Sequence, residues 1–260
     1  MSIANSNIDQ RDWSALTTGE RIRMIEVEGY LVLPDLISPD ELANLKAQTA
    51  TWPTDHVDYS EKQRVRKAVQ FEGGSVTHLI GQSKTLDFLR VLFGDEVLMT
   101  HYDYARSEPG HPGISLHTDG QPYGSEIFGF EGSCPHLVRV LYYPDDLTLD
   151  VSPFRVLPRS HLSMHAQANP YLRYEDHPGV VTVPVTAGSA VLINHKVFHG
   201  NQPNGRVNCW RSAIVLRGRA RSSRCNRGLK TKLPNCRIKS SRSSLTAIRG
   251  TGTSKAVTNP

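Results

Sequence analysis

Hydrophobic residues follow two regimes along this chain. Up to Gly94 the readable segments are mostly helical. Thr17 and Glu20 form a capping-box pattern ahead of RIRMIEVE, and Gly29 stands where a helix end favours a left-handed residue. Tyr30-Leu31-Val32-Leu33 reads as a short buried strand ended by Pro34. Ser38-Pro39-Asp40-Glu41 supplies an N-cap, a first-turn proline and an acid three residues after the cap, so a helix is expected to about residues 47–51. Another begins near Ser83, carries Leu86, Leu89 and Phe93 at helical spacing, and stops at Gly94.

After Gly94 the pattern turns to short β-rich runs: EVLMTHYDYARS, GISLHTD, HLVRVLYYP, PFRVLP, GVVTVPV, SAVLIN and CWRSAIVL. Gly, Pro, Asp and Asn clusters separate them at the interval expected of a sandwich or barrel. Helices first and strands later predict a mainly β fold, with helices packed outside an antiparallel core. A single domain over residues 17–218 is expected, after a flexible stretch 1–16 and before a basic, disordered tail 219–260.

Charge supports that division. The chain has 260 residues and a formal net charge of +5, yet eleven of its 30 Lys/Arg and none of its 25 Asp/Glu lie after residue 218. Residues 1–218 therefore keep 19 basic against 25 acidic residues, a net of −6. A basic body built for nucleic acid is excluded, and only the tail has that character. No apolar run reaches the roughly 18 residues of a membrane span, and MSIANSNIDQRDW has no secretory pattern. The four cysteines, Cys134, Cys209, Cys225 and Cys236, form no CxxC pair, so a reduced, cytoplasmic setting is expected.

Three His-x-Asp pairs occur: His56-Val57-Asp58, His101-Tyr102-Asp103 and His117-Thr118-Asp119. In a strand, residues i and i+2 share a face, so both members of a pair can ligate one ion. His56-x-Asp58 lies in a polar stretch with nothing to fix it. His101-x-Asp103 reads as a polar pair on one face of a long strand. His117-x-Asp119 ends a short strand after the SEPGHPG loop, where a barrel mouth would hold ligands. Downstream, GSAVLIN runs into His195-Lys196-Val197-Phe198-His199-Gly200-Asn201, with Arg211 at the head of the next strand. Either His195 or His199 completes a two-histidine, one-carboxylate facial triad of the kind that holds non-haem iron. Arg211 is placed to anchor a dicarboxylate. Arg206 reads as solvated, Lys67 as a surface lysine or pocket cation, and His161 as a loop-capping side chain.

GYLVLPDLISPDELANLK, PGISLHTDG, FRVLPRSH and AGSAVLINHKVFHGNQPN, followed by Arg211, together resemble phytanoyl-CoA dioxygenases over roughly residues 20–217. That resemblance implies a double-stranded β-helix, a jelly-roll or cupin-like barrel, that uses iron(II), 2-oxoglutarate and O2. It assigns the metal to His117, Asp119 and His199, in preference to His195, and the co-substrate to Arg211. Asn201 is a further candidate for the co-substrate. The implied reaction releases succinate and CO2 while a small organic or lipid-like substrate is oxidised. Halogenating relatives lose the carboxylate, so Asp119 points to oxygenation. Three positions depart from the family pattern: Thr118 between the ligands, Ser152-Pro153-Phe154-Arg155 in place of an Asn-Gly turn, and Arg159 in place of a glycine. Two other readings stand beside the oxygenase: a non-oxidative metal protein on the same barrel, and a degenerate relative whose basic tail binds nucleic acid. A small molecule is the expected partner, and oligomeric state is not legible.

Overall fold

The computed structural model describes residues 7–57, 60–95, 97–119, 137–162, 176–203 and 211–220. Asp58, Arg206, the four cysteines and the tail from residue 221 lie outside these residues, with the readings made of them. The elements, in chain order, are β1 (Asn7–Ile8), α1 (Thr18–Arg23), a π-helical turn (Met24–Glu28), β2 (Tyr30–Leu33), α2 (Pro39–Ala50), β3 (Asp55–Val57) and β4 (Ser60–Arg66). A 3-10 turn (Val69–Phe71), α3 (Gly74–Ile80) and α4 (Ser83–Phe93) follow. The β-rich half holds β5 (Val97–Ser107), β6 (Ile114–His117), β7 (Leu137–Tyr143), β8 (Phe154–Leu157), β9 (Val181–Val183), β10 (Ser189–Asn194), β11 (Phe198–Asn201) and β12 (Arg211–Ala220).

Local chemistry sets the helix ends. Thr17 and Ser38 accept from the amides of Glu20 and Glu41, and those carboxylates accept from the cap amides at 2.8 and 3.0 Å. Hydrogen bonds from the cap hydroxyls hold both carboxyls below the ordinary glutamate value. Gly29 takes φ 89°, and a Cβ there would lie 2.7 Å from both Val197 Cγ2 and His161 Nδ1. That position needs glycine for conformation and for space.

The strands form two sheets, ordered β2-β10-β7-β12-β5-β4-β3 and β1-β9-β8-β11-β6. Every pairing is antiparallel except β1 with β9. This is the expected mainly β, jelly-roll fold with flanking helices. Tyr102 donates to the Val76 carbonyl at 2.5 Å and Tyr104 packs edge-on to Trp52, so the even-numbered residues of β5 face the helices. Strand alternation turns His101, Asp103, Ala105 and Ser107 to the opposite face of that sheet. The main core joins Tyr102, Val138, Val140 and Tyr142 to Leu45, Val76, Phe88 and Leu89 of the helices.

Residues 7–16 correct one expectation. Instead of hanging free, β1 extends the smaller sheet, Tyr30 donates to Asp9 at 2.7 Å, and Trp13 packs edge-on against Tyr30 with 8% exposure. One large aromatic and a short ladder outweigh the polar composition. The structure also adds β3, β4, α3 and β11, which the sequence pattern left as connections. Among the described residues, no helix is long and apolar enough to cross a membrane.

Candidate metal centre

β6 and β11 are paired with His117 directly opposite His199. Two features press these strands together. Ser160, in the LPRSH segment, accepts from the Phe198 amide at 2.8 Å, fixing the start of β11. Gly200 removes a side chain where β6 passes: a Cβ there would run into the Ile114 carbonyl oxygen and lie 3.0 Å from that of Ser115. Just beyond β6, the Asp119 amide donates to the His195 carbonyl at 3.0 Å, which folds the carboxylate back over the pair.

Ligand atoms of His117, Asp119 and His199 all lie within 4.8 Å of one another. Nε2 of His117 is 3.8 Å from Asp119 Oδ1, Nε2 of His199 is 3.7 Å from Oδ2, and the two ring centroids are 4.5 Å apart. Each histidine meets a backbone carbonyl through Nδ1, His117 at Ser115 (2.9 Å) and His199 at Val197 (3.0 Å). A carbonyl only accepts, so Nδ1 carries the proton and Nε2 keeps its lone pair. That second contact is how metal-binding histidines are oriented. Burial, followed by the neighbouring His117, pushes the His199 pKa down to about 3, so its imidazole is neutral at pH 7. Two neutral imidazoles and a carboxylate fit a first-row divalent metal, with positions left for other ligands.

The other candidates are placed elsewhere. His195 meets the Leu137 carbonyl through Nδ1 at 3.1 Å and is outside the cluster. His101 pairs with Asp103, whose Oδ1 accepts from the Ala68 amide at 2.8 Å, and His56 lies against Arg64. His161 donates from Nε2 to the Glu26 carbonyl at 2.9 Å, clasping the LPRSH loop to the π-helical turn. Arg159 reinforces that clasp: it adopts φ 66° and pairs through two nitrogens with Glu28, at 2.8 and 3.0 Å. Its departure from glycine is thereby explained. Asn201 lies two residues beyond His199 on β11, is 8% exposed, and donates to the Pro153 carbonyl at 3.5 Å. Lys67 is exposed. Arg211 opens β12 opposite Ser107 of β5.

Sequence reasoning missed Arg139. It sits in the apolar run of β7 and its Nη1 donates to Asp119 Oδ2. The signal was available: an arginine at an alternating position of a buried strand demands a carboxylate or an equivalent partner.

Several solved structures share the fold. HygX from Streptomyces hygroscopicus, with nickel and 2-oxoglutarate bound, aligns at TM-score 0.65 and 16% identity, covering 79% of this chain and 88% of HygX. The non-heme alpha ketoglutarate dependent epimerase SnoN, from nogalamycin biosynthesis, aligns at 0.63 and 15%, covering 78% and 80%. AviO1 from Streptomyces viridochromogenes Tue57 aligns at 0.58 and 18%, covering 80% and 97%. Compared by sequence with curated proteins, the chain has no significant match. The family model of phytanoyl-CoA dioxygenase matches residues 25–211 and so takes in His117, Asp119 and His199. This chain belongs to the phytanoyl-CoA dioxygenase family.

Proposed function

We propose that the protein is an iron(II)- and 2-oxoglutarate-dependent dioxygenase that oxidises a small organic molecule and releases succinate and CO2. One observation carries this reading: in a member of this family, three donors of the right type converge within 4.8 Å, each histidine presenting a lone pair at Nε2. His117, Asp119 and His199 hold the iron. Bound together there, iron and 2-oxoglutarate supply the activation of O2.

The chain's own residues bind, orient and exclude water. Ser115 and Val197 keep both imidazoles aimed at the metal position through their carbonyls. Arg211 holds the far carboxylate of 2-oxoglutarate in a charge-assisted pair. Asn201, on the same face of β11 as His199, is the second residue assigned to the co-substrate. Buried Phe154 stacks on His199, centroids 6.1 Å apart, and closes that side to water. One HygX structure contains hygromycin B and one SnoN structure nogalamycin RO, which supports a small-molecule substrate. Hydroxylation and epimerisation both use this machinery.

The test is succinate formation. Iron-loaded protein and 2-oxoglutarate, mixed anaerobically and then exposed to O2, should yield succinate in wild type and none in His199→Ala. A metal-loaded, folded wild type that leaves 2-oxoglutarate untouched would move the protein to non-oxidative metal chemistry.

A further inference from the structure

Arg139 lies on the inward face of β7, its Nη1 donating to Asp119 Oδ2, beside a carboxylate that the metal itself must use. The side chain is 21% exposed, and its Nε is buried with no hydrogen-bond partner among the described residues. A guanidinium beside a metal position opposes a divalent ion, and a buried N–H gains from any acceptor brought to it. Both features become favourable when an anion joins the metal. In register, Arg217 of β12 lies opposite both Arg139 and His101. Arg139, Arg217 and His101 therefore share one register row across β7, β12 and β5.

We infer that Arg139 is a second anchor for the anionic co-substrate, acting at its keto-acid end through its contact with Asp119. It is a positioning residue, complementary to Arg211 at the far carboxylate. This rests on the iron and 2-oxoglutarate reading above. One nitrogen holds Asp119 so that the carboxylate cannot swing away, and the guanidinium offers a further donor and a fixed positive charge to a carboxylate that binds beside the metal. The electrostatics give the two ligands opposite signs. Arg139 weakens the binding of a divalent cation and strengthens the binding of a dianion. A residue that merely stiffened the strand would affect both in the same direction.

The experiment compares wild type with Arg139→Met, Arg139→Gln and Arg139→Lys. Iron(II) affinity is read anaerobically by competition with a chromophoric chelator. 2-Oxoglutarate affinity is read from the visible charge-transfer band of the iron-loaded protein, and folding by thermal melting. In Arg139→Met the 2-oxoglutarate Kd should rise tenfold or more while the iron Kd stays level or falls. Arg139→Gln, which keeps a donor for Asp119 without the charge, should behave like Arg139→Met, and it carries the test if Arg139→Met does not fold. Arg139→Lys should stay within about threefold of wild type. The inference is overturned if the Gln variant binds 2-oxoglutarate within twofold of wild type, or if iron and 2-oxoglutarate weaken together. A wild type that binds neither ligand would instead bring down the functional reading on which this rests.

Discussion

Gly200→Ala tests whether the spacing of β6 and β11 sets the metal geometry. The added methyl would press on the Ile114 carbonyl and lie 3.0 Å from the Ser115 oxygen and 3.1 Å from its carbonyl carbon. These are backbone atoms, so no side chain can rotate away. Ordinary carbon contacts fall near 3.5–4.0 Å, so β6 must retreat by roughly 1 Å. Overpacking of this kind costs about 1–3 kcal/mol, which in a domain of this size lowers Tm by roughly 2–12 °C. The larger effect should fall on the site. The Ser115 carbonyl orients His117, and His117 faces His199 across the same pair of strands. Metal distances tolerate only about ±0.2 Å, so a displacement several times larger should weaken iron binding at least tenfold. Thermal melting and anaerobic iron titration read the two effects separately. Wild-type iron affinity in Gly200→Ala would refute the argument that this strand contact fixes the ligand separation.

Four further outcomes follow from the same geometry. Leu192→Ala, at a position with 0% exposure in β10, should cost about 2–5 kcal/mol in denaturant unfolding, and less than 1 kcal/mol would mean that the core there is loosely packed. Gly29→Ala combines a left-handed backbone with a 2.7 Å approach to Val197 and His161, so it should destabilise by more than the roughly 1–2 kcal/mol of the backbone term alone. Ser38→Ala removes the N-cap of α2 and should cost about 1 kcal/mol by the same assay. The Glu41 carboxyl is held below its ordinary 4.5 in the folded chain, so its contribution is present above that value and lost as pH falls through the lower folded value. The stability gap between wild type and Glu41→Gln should therefore be open at pH 7 and begin to narrow only below about pH 4.5, and a gap that does not narrow with acidification would contradict the cap.

Elements whose signals are local were legible in the sequence. The capping boxes at Thr17 and Ser38 are complete within four residues, and β10 is an unbroken apolar run, so α1, α2 and β10 could be read directly. β3 and β4 could not. Their residues are largely polar because they extend the edge of the larger sheet, where pairing with β5 rather than apolar content makes them strands. β11 is only four residues long and carries His199 and Gly200 in place of β-formers, so the ligand motif hid the strand that presents it. The choice of His199 over His195 shows the same division. Spacing alone allowed both and family resemblance chose His199; in the fold His195 is turned to the Leu137 carbonyl while His199 stands across from His117. Arg139 was invisible because its meaning depends on Asp119, twenty residues away, folding back onto β7.

The most direct test of the account is anaerobic iron(II) titration in the presence of 2-oxoglutarate, following the visible metal-to-ligand charge-transfer band in wild type, His199→Ala, His195→Ala and Arg211→Ala. The band should form in wild type and in His195→Ala, vanish in His199→Ala, and require far more 2-oxoglutarate in Arg211→Ala. A band that survives loss of His199 but not of His195, or none at all in folded, iron-loaded wild type, would contradict the assignment of His117, Asp119 and His199 as the oxygenase metal centre.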